Sequence, residues 1–223
     1  MKAATAQRCA AGAELRLGSS REAFAAVVLD RATAYRQAGG GVRVESFGKL
    51  NVNGVPTVFG VLGARLTRAC APKWYRVQLP IRPNGAVGWV RAADVWVGKV
   101  DTRITVDLSD RRLTLYRGGR PYLETQVAVG TAATPTPTGR YYVNQRLIPE
   151  DTSGPFGPGA IGISAYSDVL TGWAQGGPIA IHGTNQPWSI GKAASNGCLR
   201  VRNDVLRRIW KVTLAGTPVV IRA

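Results

Sequence analysis

From Thr102 onward, apolar and polar positions alternate: Ile104, Val106 and Leu108 fall on one side, Thr105 and Asp107 on the other. A period of two sends successive side chains to opposite faces, so this run predicts a β-strand with one buried face. Ser109-Asp110-Arg111-Arg112 turns the chain, and Leu113, Leu115 and Tyr116 return it. Gly118-Gly119 turns it again toward Gln126-Val127-Ala128-Val129-Gly130, which completes a β-meander. The two prolines of Thr134-Pro135-Thr136-Pro137-Thr138-Gly139 remove ladder donors, so a rigid loop precedes Tyr141-Tyr142-Val143. Residues 149–163 are dense in Gly and Pro and predict a long loop of the kind that often carries function. The period then becomes helical. Val205, Leu206, Ile209 and Trp210 line one side, with Asn203 as N-cap and Asp204 in the first turn. Gly216 ends that element, and Thr217-Pro218-Val219-Val220-Ile221 predicts a final strand.

The first half reads differently. Residues 1–20 are polar and rich in Ala and Gly, which predicts a frayed or loosely packed segment, and structure begins near Arg21. Apolar runs at Val58-Phe59-Gly60-Val61-Leu62, Trp74-Tyr75-Arg76-Val77-Gln78-Leu79 and Gly88-Trp89-Val90 alternate with turn signals. These are Gly39-Gly40-Gly41, Asn53-Gly54-Val55-Pro56 and Pro83-Asn84-Gly85. Short strands at this spacing predict a small antiparallel barrel. Val97-Gly98-Lys99-Val100 reads as the joint. The expected architecture is mainly β: a polar segment (1–21), a small barrel (22–98) and a larger β-rich domain (101–222) with one clear C-terminal helix.

Charge narrows the partners. The chain has 29 Lys and Arg against 13 Asp and Glu, a formal net charge of +16. Such a surface attracts polyanions. The cations are mostly single arginines, without a basic block or aromatic interleaving, so no specific nucleic-acid module is expected. No apolar run is long enough to span a membrane. Met1-Lys2-Ala3-Ala4-Thr5 lacks the apolar core of a secretory signal, so either the chain is cytoplasmic or its targeting segment lies outside this sequence.

Cys9, Cys70 and Cys198 are widely spaced, and His182 is the single histidine. That is too few soft ligands for a structural zinc site, and neither metal nor cofactor is expected. In an exported protein Cys9 and Cys70 could pair and leave Cys198 free; the alternative is three buried, inert thiols. The chemistry concentrates late in the chain. Ile179-Ala180-Ile181 runs as an apolar strand into His182-Gly183-Thr184-Asn185, which holds the histidine rigidly at a strand end. Ser195-Asn196-Gly197-Cys198-Leu199-Arg200 places a glycine directly before a cysteine, permitting a tight bend whose amides converge as an oxyanion hole requires. A free thiol is only a few per cent thiolate at pH 7. Hydrogen bonding to imidazole makes the thiolate–imidazolium pair accessible. No carboxylate lies nearby in sequence to orient the ring, and the Gly183 carbonyl is a candidate for that role.

The run His182-Gly183-Thr184…Ser195-Asn196-Gly197-Cys198-Leu199-Arg200…Asn203-Asp204 closely resembles the signature of the L,D-transpeptidase (YkuD-like) catalytic domain, over about residues 101–222. Val129-Gly130 and the Thr136-Pro137-Thr138-Gly139 loop are similar to that family too. The resemblance implies a β-rich sandwich with Cys198 as nucleophile and His182 as general base and acid. It also implies that Ser195, Asn196, Gly197 and Cys198 turn their amides to the oxyanion, with Gly183 and Arg200 supporting the site. Arg200 otherwise reads as an ordinary ion pair with Asp204. Many members have a second histidine where this chain has Asn196. Tyr166, Trp173 and Trp188 are candidate walls of a donor groove, or simply packing. Trp74-Tyr75-Arg76-Val77…Gly88-Trp89-Val90…Asp94-Val95 resembles the closing strands of bacterial SH3-like wall-associated domains.

The reaction so implied is cofactor-free acyl transfer between peptidoglycan stem peptides, through a Cys198 thioester that carbapenems also form. It is expected outside the cytoplasm, in the cell envelope, where an anionic wall matches the positive charge. An L,D-carboxypeptidase would use the same residues with water as acceptor. A non-catalytic wall-binding protein would have no need of the His182/Cys198 pair. Papain-like wall hydrolases place cysteine before histidine, the reverse of this order.

Overall fold

The computed structural model describes residues 9–223. Its first half contains β1 (Glu14–Arg16), β2 (Ala23–Val28), β3 (Arg31–Gln37) and β4 (Gly40–Gly48), then β5 (Val58–Leu66), β6 (Pro72–Gln78), β7 (Val87–Arg91) and β8 (Val95–Val100). These form one sheet in the order β4-β3-β7-β6-β5-β2-β8, with β1 added on β5. Ala26, Val28, Phe59, Val77, Leu79 and Val90 fill its core. Two expectations are corrected here. Glu14–Arg16 is a paired strand rather than a frayed one, registered on Gly63–Arg65, and a Cys9–Cys70 disulfide with a Cα separation of 5.2 Å ties down the chain before it. Val97–Val100 is no joint either. It belongs to β8 and pairs with β2 along its length, because Val95 and Val100 bury their side chains there.

The second half starts with β9 (Thr102–Asp107), so Asp101 alone separates the two sheets. It continues through β10 (Arg112–Arg117), β11 (Arg120–Gln126), β12 (Val129–Gly130), β13 (Gly139–Leu147) and β14 (Ala160–Tyr166). After these come β15 (Pro178–His182), β16 (Ala193–Ser195), β17 (Leu199–Arg200), α1 (Asn203–Val212) and β18 (Pro218–Arg222). The large sheet has the order β11-β10-β9-β18-β13-β14-β15-β17, with β12 and β16 as a separate parallel pair. Thr102, Ile104 and Val106 are buried at alternate positions, as the period of two requires. β18 inserts between β9 and β13, parallel to the first and antiparallel to the second, so the end of the chain closes the middle of the sheet. Val205, Leu206 and Ile209 of α1 cover one side of the core. The loop predicted over 149–163 ends earlier than expected. Ala160–Tyr166 is the strand β14, paired on both edges, since Ile161 and Ile163 are core residues and the glycine between them is tolerated there.

The two sheets lock through a few specific contacts. The Tyr142 ring lies flat against Gly60, where a Cβ would sit 2.9 Å from its Cγ, and its hydroxyl donates to the Val58 carbonyl at 3.1 Å. Asn84 pairs its carboxamide with both backbone groups of Tyr166, at 2.8 Å each, imitating a strand neighbour. Arg82 donates to the Ser167 and Gly176 carbonyls at 2.6 Å.

The Gly60–Tyr142 contact has no slack, so Gly60→Ala should cost about 1–3 kcal/mol of unfolding free energy through overpacking. A urea melt checks this. An unchanged midpoint would mean the aromatic ring is not held against that backbone.

Candidate active site

The site is set by strand pairing. β17 runs parallel to β15 with Ile181 opposite Leu199 and His182 opposite Arg200. Ile181 and Leu199 are fully buried in the core, so their neighbours His182 and Arg200 occupy the other face. Extending the register back one pair sets Cys198 beside Ala180, on the His182 side. A strand spacing of about 4.8 Å and a two-residue rise of about 6.6 Å put the Cys198 and His182 Cα atoms about 8 Å apart. A thiol and an imidazole on one face at that separation can meet. The Ala180 amide, at the open end of this ladder, donates a hydrogen bond to the Cys198 sulfur.

His182 is 4% exposed, and its Nδ1 lies 2.5 Å from the Gly183 carbonyl. A carbonyl only accepts, so Nδ1 carries the proton and the lone pair sits on Nε2. The orienting group is thus the neighbouring backbone. Phe156, from the long loop, sets its ring edge-on to the imidazole at 4.9 Å. Burial lowers the His182 pKa to about 4; the Gly183 carbonyl opposes this shift and the Arg200 cation adds to it. Burial raises the Cys198 thiol, against the Ala180 amide and Arg200, which lower it. The resting site therefore holds a neutral thiol and a neutral imidazole. A desolvated site penalises standing charge on both groups.

Asn203 corrects another expectation. Arg202 occupies the helix N-cap position, and the Asn203 carboxamide instead accepts the Thr184 amide at 2.7 Å. Gly157 and Gly183 leave room for it: a Cβ on either would fall 2.3 Å from Asn203 Oδ1. The helix start thereby braces the turn that presents the Gly183 carbonyl to His182.

The loop before the nucleophile is stapled from within. Ser195 Oγ donates to the Cys198 carbonyl at 2.6 Å and accepts the Gly197 amide at 3.1 Å. The Ser195 backbone takes part in the β12–β16 ladder. The Gly197 and Ser195 amides are thus committed, which corrects the expectation that they face an oxyanion. Among the described residues, the Asn196 and Cys198 amides donate to no acceptor. Thr136 accepts the Gly130 amide at 2.9 Å and donates to the Gly197 carbonyl at 2.8 Å, while Thr134 Oγ1 donates to the Ser195 carbonyl at 3.1 Å. Gly197 sits at φ 106°, a left-handed conformation that a side chain would strain.

Arg200 has no carboxylate partner among the described residues: Asp204 pairs with Arg202, and Arg200 Nη1 donates to Gln186 Oε1 at 2.9 Å. Its Nε is buried without an acceptor. The aromatic candidates separate. Trp188 lies on the short turn Pro187–Ser189 between His182 and Cys198, 63% exposed, with Lys192 over its ring. Tyr166 pairs with Pro178 at the far end of β15 from His182, and its hydroxyl donates to the Pro80 carbonyl. Trp173 is exposed in the loop before β15. Among the described residues, no hydrogen bond or ring contact links these three. The roles of Ala180, Phe156 and the two threonines carry no motif of their own; the one available signal was the threonine–proline alternation ahead of Gly139.

Residues 101–221 match the family model of the L,D-transpeptidase (YkuD) catalytic domain. A putative L,D-transpeptidase, YkuD, of Bacillus subtilis is 37% identical over 118 residues, covering 53% of this chain and 64% of the relative. The chain thus matches less than two thirds of that relative's length. Among solved structures, the catalytic domain of the Enterococcus faecium L,D-transpeptidase is 26% identical, with a TM-score of 0.40, over 55% of this chain and 97% of that one. The avibactam carbamoyl form of the enzyme Ldtfm is 28% identical, with a TM-score of 0.40, over 55% and 49% of the two chains.

Two outcomes follow from the buried histidine and its brace. His182 protonates near pH 6.5 when unfolded and only near pH 4 when folded. Between these values the unfolded chain binds the extra proton, so stability falls as pH drops from about 6.5 to about 4. The full loss is about 3 kcal/mol. Unfolding free energies of the wild type and His182→Gln across that window check it, since the variant should lack this slope. Asp107 and Asp151, whose carboxyls are held below their usual range by hydrogen bonds, add their loss only at lower pH. Separately, Asn203→Ala leaves the Thr184 amide unpaired and should cost about 1–3 kcal/mol, with most of it recovered by Asn203→Asp. Equal melts for the two variants would remove the bracing role.

Proposed function

Because the chain belongs to the L,D-transpeptidase catalytic-domain family, we propose that it cross-links peptidoglycan stem peptides by acyl transfer through Cys198. The observation that carries this is the β15–β17 register, which sets thiol and imidazole on one face with Nδ1 anchored. In the first half-reaction, His182 Nε2 takes the thiol proton as sulfur attacks the carbonyl of the third, L-centred stem residue. The oxyanion faces the Asn196 and Cys198 amides, each such donor contributing on the order of 3–4 kcal/mol. The imidazolium then gives its proton to the departing D-alanine amine, leaving a thioester. In the second half, His182 deprotonates an amine of a neighbouring stem as it attacks. The neutral resting pair suits this cycle, because the proton returns to sulfur when the thioester is resolved. Arg200 positions the site electrostatically, favouring the thiolate as it forms. Trp188 stands beside the path as a wall.

The N-terminal sheet we read as an SH3-like wall-associated module docked on the catalytic domain, the division falling at Asp101. A protein acting on peptidoglycan works outside the cytoplasm, and the Cys9–Cys70 disulfide fits that oxidising compartment. Among the described residues, no helix is long and apolar enough to cross a membrane.

Incubation with a disaccharide-tetrapeptide muropeptide, read by mass spectrometry, tests the reaction. The expected product is a dimer that has lost one D-alanine. Tripeptide without dimer would make the enzyme an L,D-carboxypeptidase, and turnover surviving in Cys198→Ala would overturn the mechanism. His182→Gln should lower the rate by about 10²–10⁴. Imipenem should add to the wild type and not to Cys198→Ser.

A further inference from the structure

Where the two sheets meet there is a groove of about 420 Å³, well within the usual range of ligand clefts. Its floor is built by a β-bulge. β13 shifts register between Val143 and Gln145, so Asn144 and Gln145 both turn toward Gly162 of β14. The point where a Gly162 Cβ would sit is 3.0 Å from Asn144 Oδ1 and 3.0 Å from Gln145 Nε2. The orientation of Gln145 is fixed, because its Oε1 accepts the amides of Asn51 and Asn53 at 2.9 Å each. Its Nε2 is left as a donor with no acceptor among the described residues. Asn144 Oδ1 is buried and also has no partner there. An unused acceptor and an unused donor side by side match the N–H and C=O of one secondary amide.

The groove is also free of cations. In a chain of charge +16, its lining includes no Lys or Arg, and Glu45 is its one charged residue. A free stem peptide, which carries carboxylates, finds no counter-charge there. An acetamido sugar needs none, and the rings of Phe47, Tyr166 and Pro178 offer apolar faces to a pyranose.

Position agrees. Gly162 pairs with Ala180 and Ala160 with His182, so this floor lies on the same face of the sheet as the catalytic pair. Pro178, at the groove, is four residues from His182 along β15, or about 13 Å. A stem hangs from its sugar through a lactyl ether, and three extended residues span at most about 11 Å. A sugar in the groove thus sets the third stem residue near Cys198, across the small side chains of Ala160 and Ala180.

We propose that this groove binds an N-acetylated sugar of the glycan strand and holds it while the attached stem reaches Cys198. The proposal rests on the peptidoglycan reading above and adds a glycan subsite to it.

Titration of the full chain with the N-acetylglucosamine tetramer tests it. Saturable binding is expected for the wild type and for Cys198→Ala. Asn144→Ala, which removes the buried acceptor, should weaken it tenfold or more. So should Gln145→Glu, which keeps the Oε1 contacts but replaces the donor, and melting curves report that both variants fold. The glucosamine tetramer, lacking acetyl groups, should not bind. No saturation, equal affinity in the two folded variants, equal binding of the glucosamine tetramer, or equal competition by a sugar-free tetrapeptide would each overturn the proposal. Imipenem acylation of the same wild-type protein is read separately. Acylation without sugar binding removes the groove and leaves the catalytic reading standing.

Discussion

Two rungs of a parallel ladder, Ile181 to Leu199 and His182 to Arg200, carry the geometry on which the chemistry depends. Parallel strands keep paired residues on a common face, so burying Ile181 and Leu199 forces His182, Arg200 and, one pair back, Cys198 to the opposite face. The hydrophobic effect thus does the aiming. Each isoleucine or leucine on the core side holds its neighbours outward, and a slip of one residue would turn thiol and imidazole to opposite sides of the sheet. The pairing is short, which explains why so much else props it. The Ala128 and Arg200 backbones exchange hydrogen bonds from the other edge, and the Val201 amide donates to the His182 carbonyl.

Around that ladder the polar groups are nearly all spoken for, and this is what confers rigidity. Ser195 closes the bend beneath Cys198, Thr134 and Thr136 bind that bend to the loop after β12, and Asn203 fixes the turn after His182. Each buried hydrogen bond of this kind contributes only about 1 kcal/mol net, but leaving its partner bare costs more. The arrangement therefore resists piecemeal loosening. Among the described residues, the Asn196 and Cys198 amides have no acceptor, as the proposed oxyanion site requires.

The sequence made the His182/Cys198 pair legible because two short motifs carry it, and the alternation from Thr102 made the meander legible because one face is buried. Other elements were hidden for physical reasons. β14 begins inside a Gly- and Pro-rich run, since a strand buried between two neighbours needs core residues at Ile161 and Ile163 and tolerates a glycine between them. Val97–Val100 looked like a linker because Gly98 lies there, yet long-range pairing with β2 decided its fate. Asn203 precedes a helix and so read as a cap; only the fold shows a turn nineteen residues upstream competing for its carboxamide. The amides of Ser195 and Gly197 read as donors because local sequence cannot reveal what satisfies them, a neighbouring strand for the first and the Ser195 hydroxyl for the second.

Charge distribution separates the surface into two tasks. A net charge of +16 attracts polyanions at long range, where many scattered arginines act together. That attraction is indifferent to orientation and fades beyond about 8 Å at physiological ionic strength. Orientation must then come from short-range contacts. The groove proposed as a glycan subsite suits that role, since its lining holds no cation, carries carboxamides and adjoins the face bearing Cys198. Arg200 is the exception among the arginines. It stands beside Cys198 with no acid partner among the described residues, and its charge lowers the thiol and imidazole together. One cation thus favours sulfur as an anion while opposing the imidazolium, so its help to the thiolate comes at some cost to proton uptake by His182. The rest of the positive charge can vary in position without disturbing that chemistry.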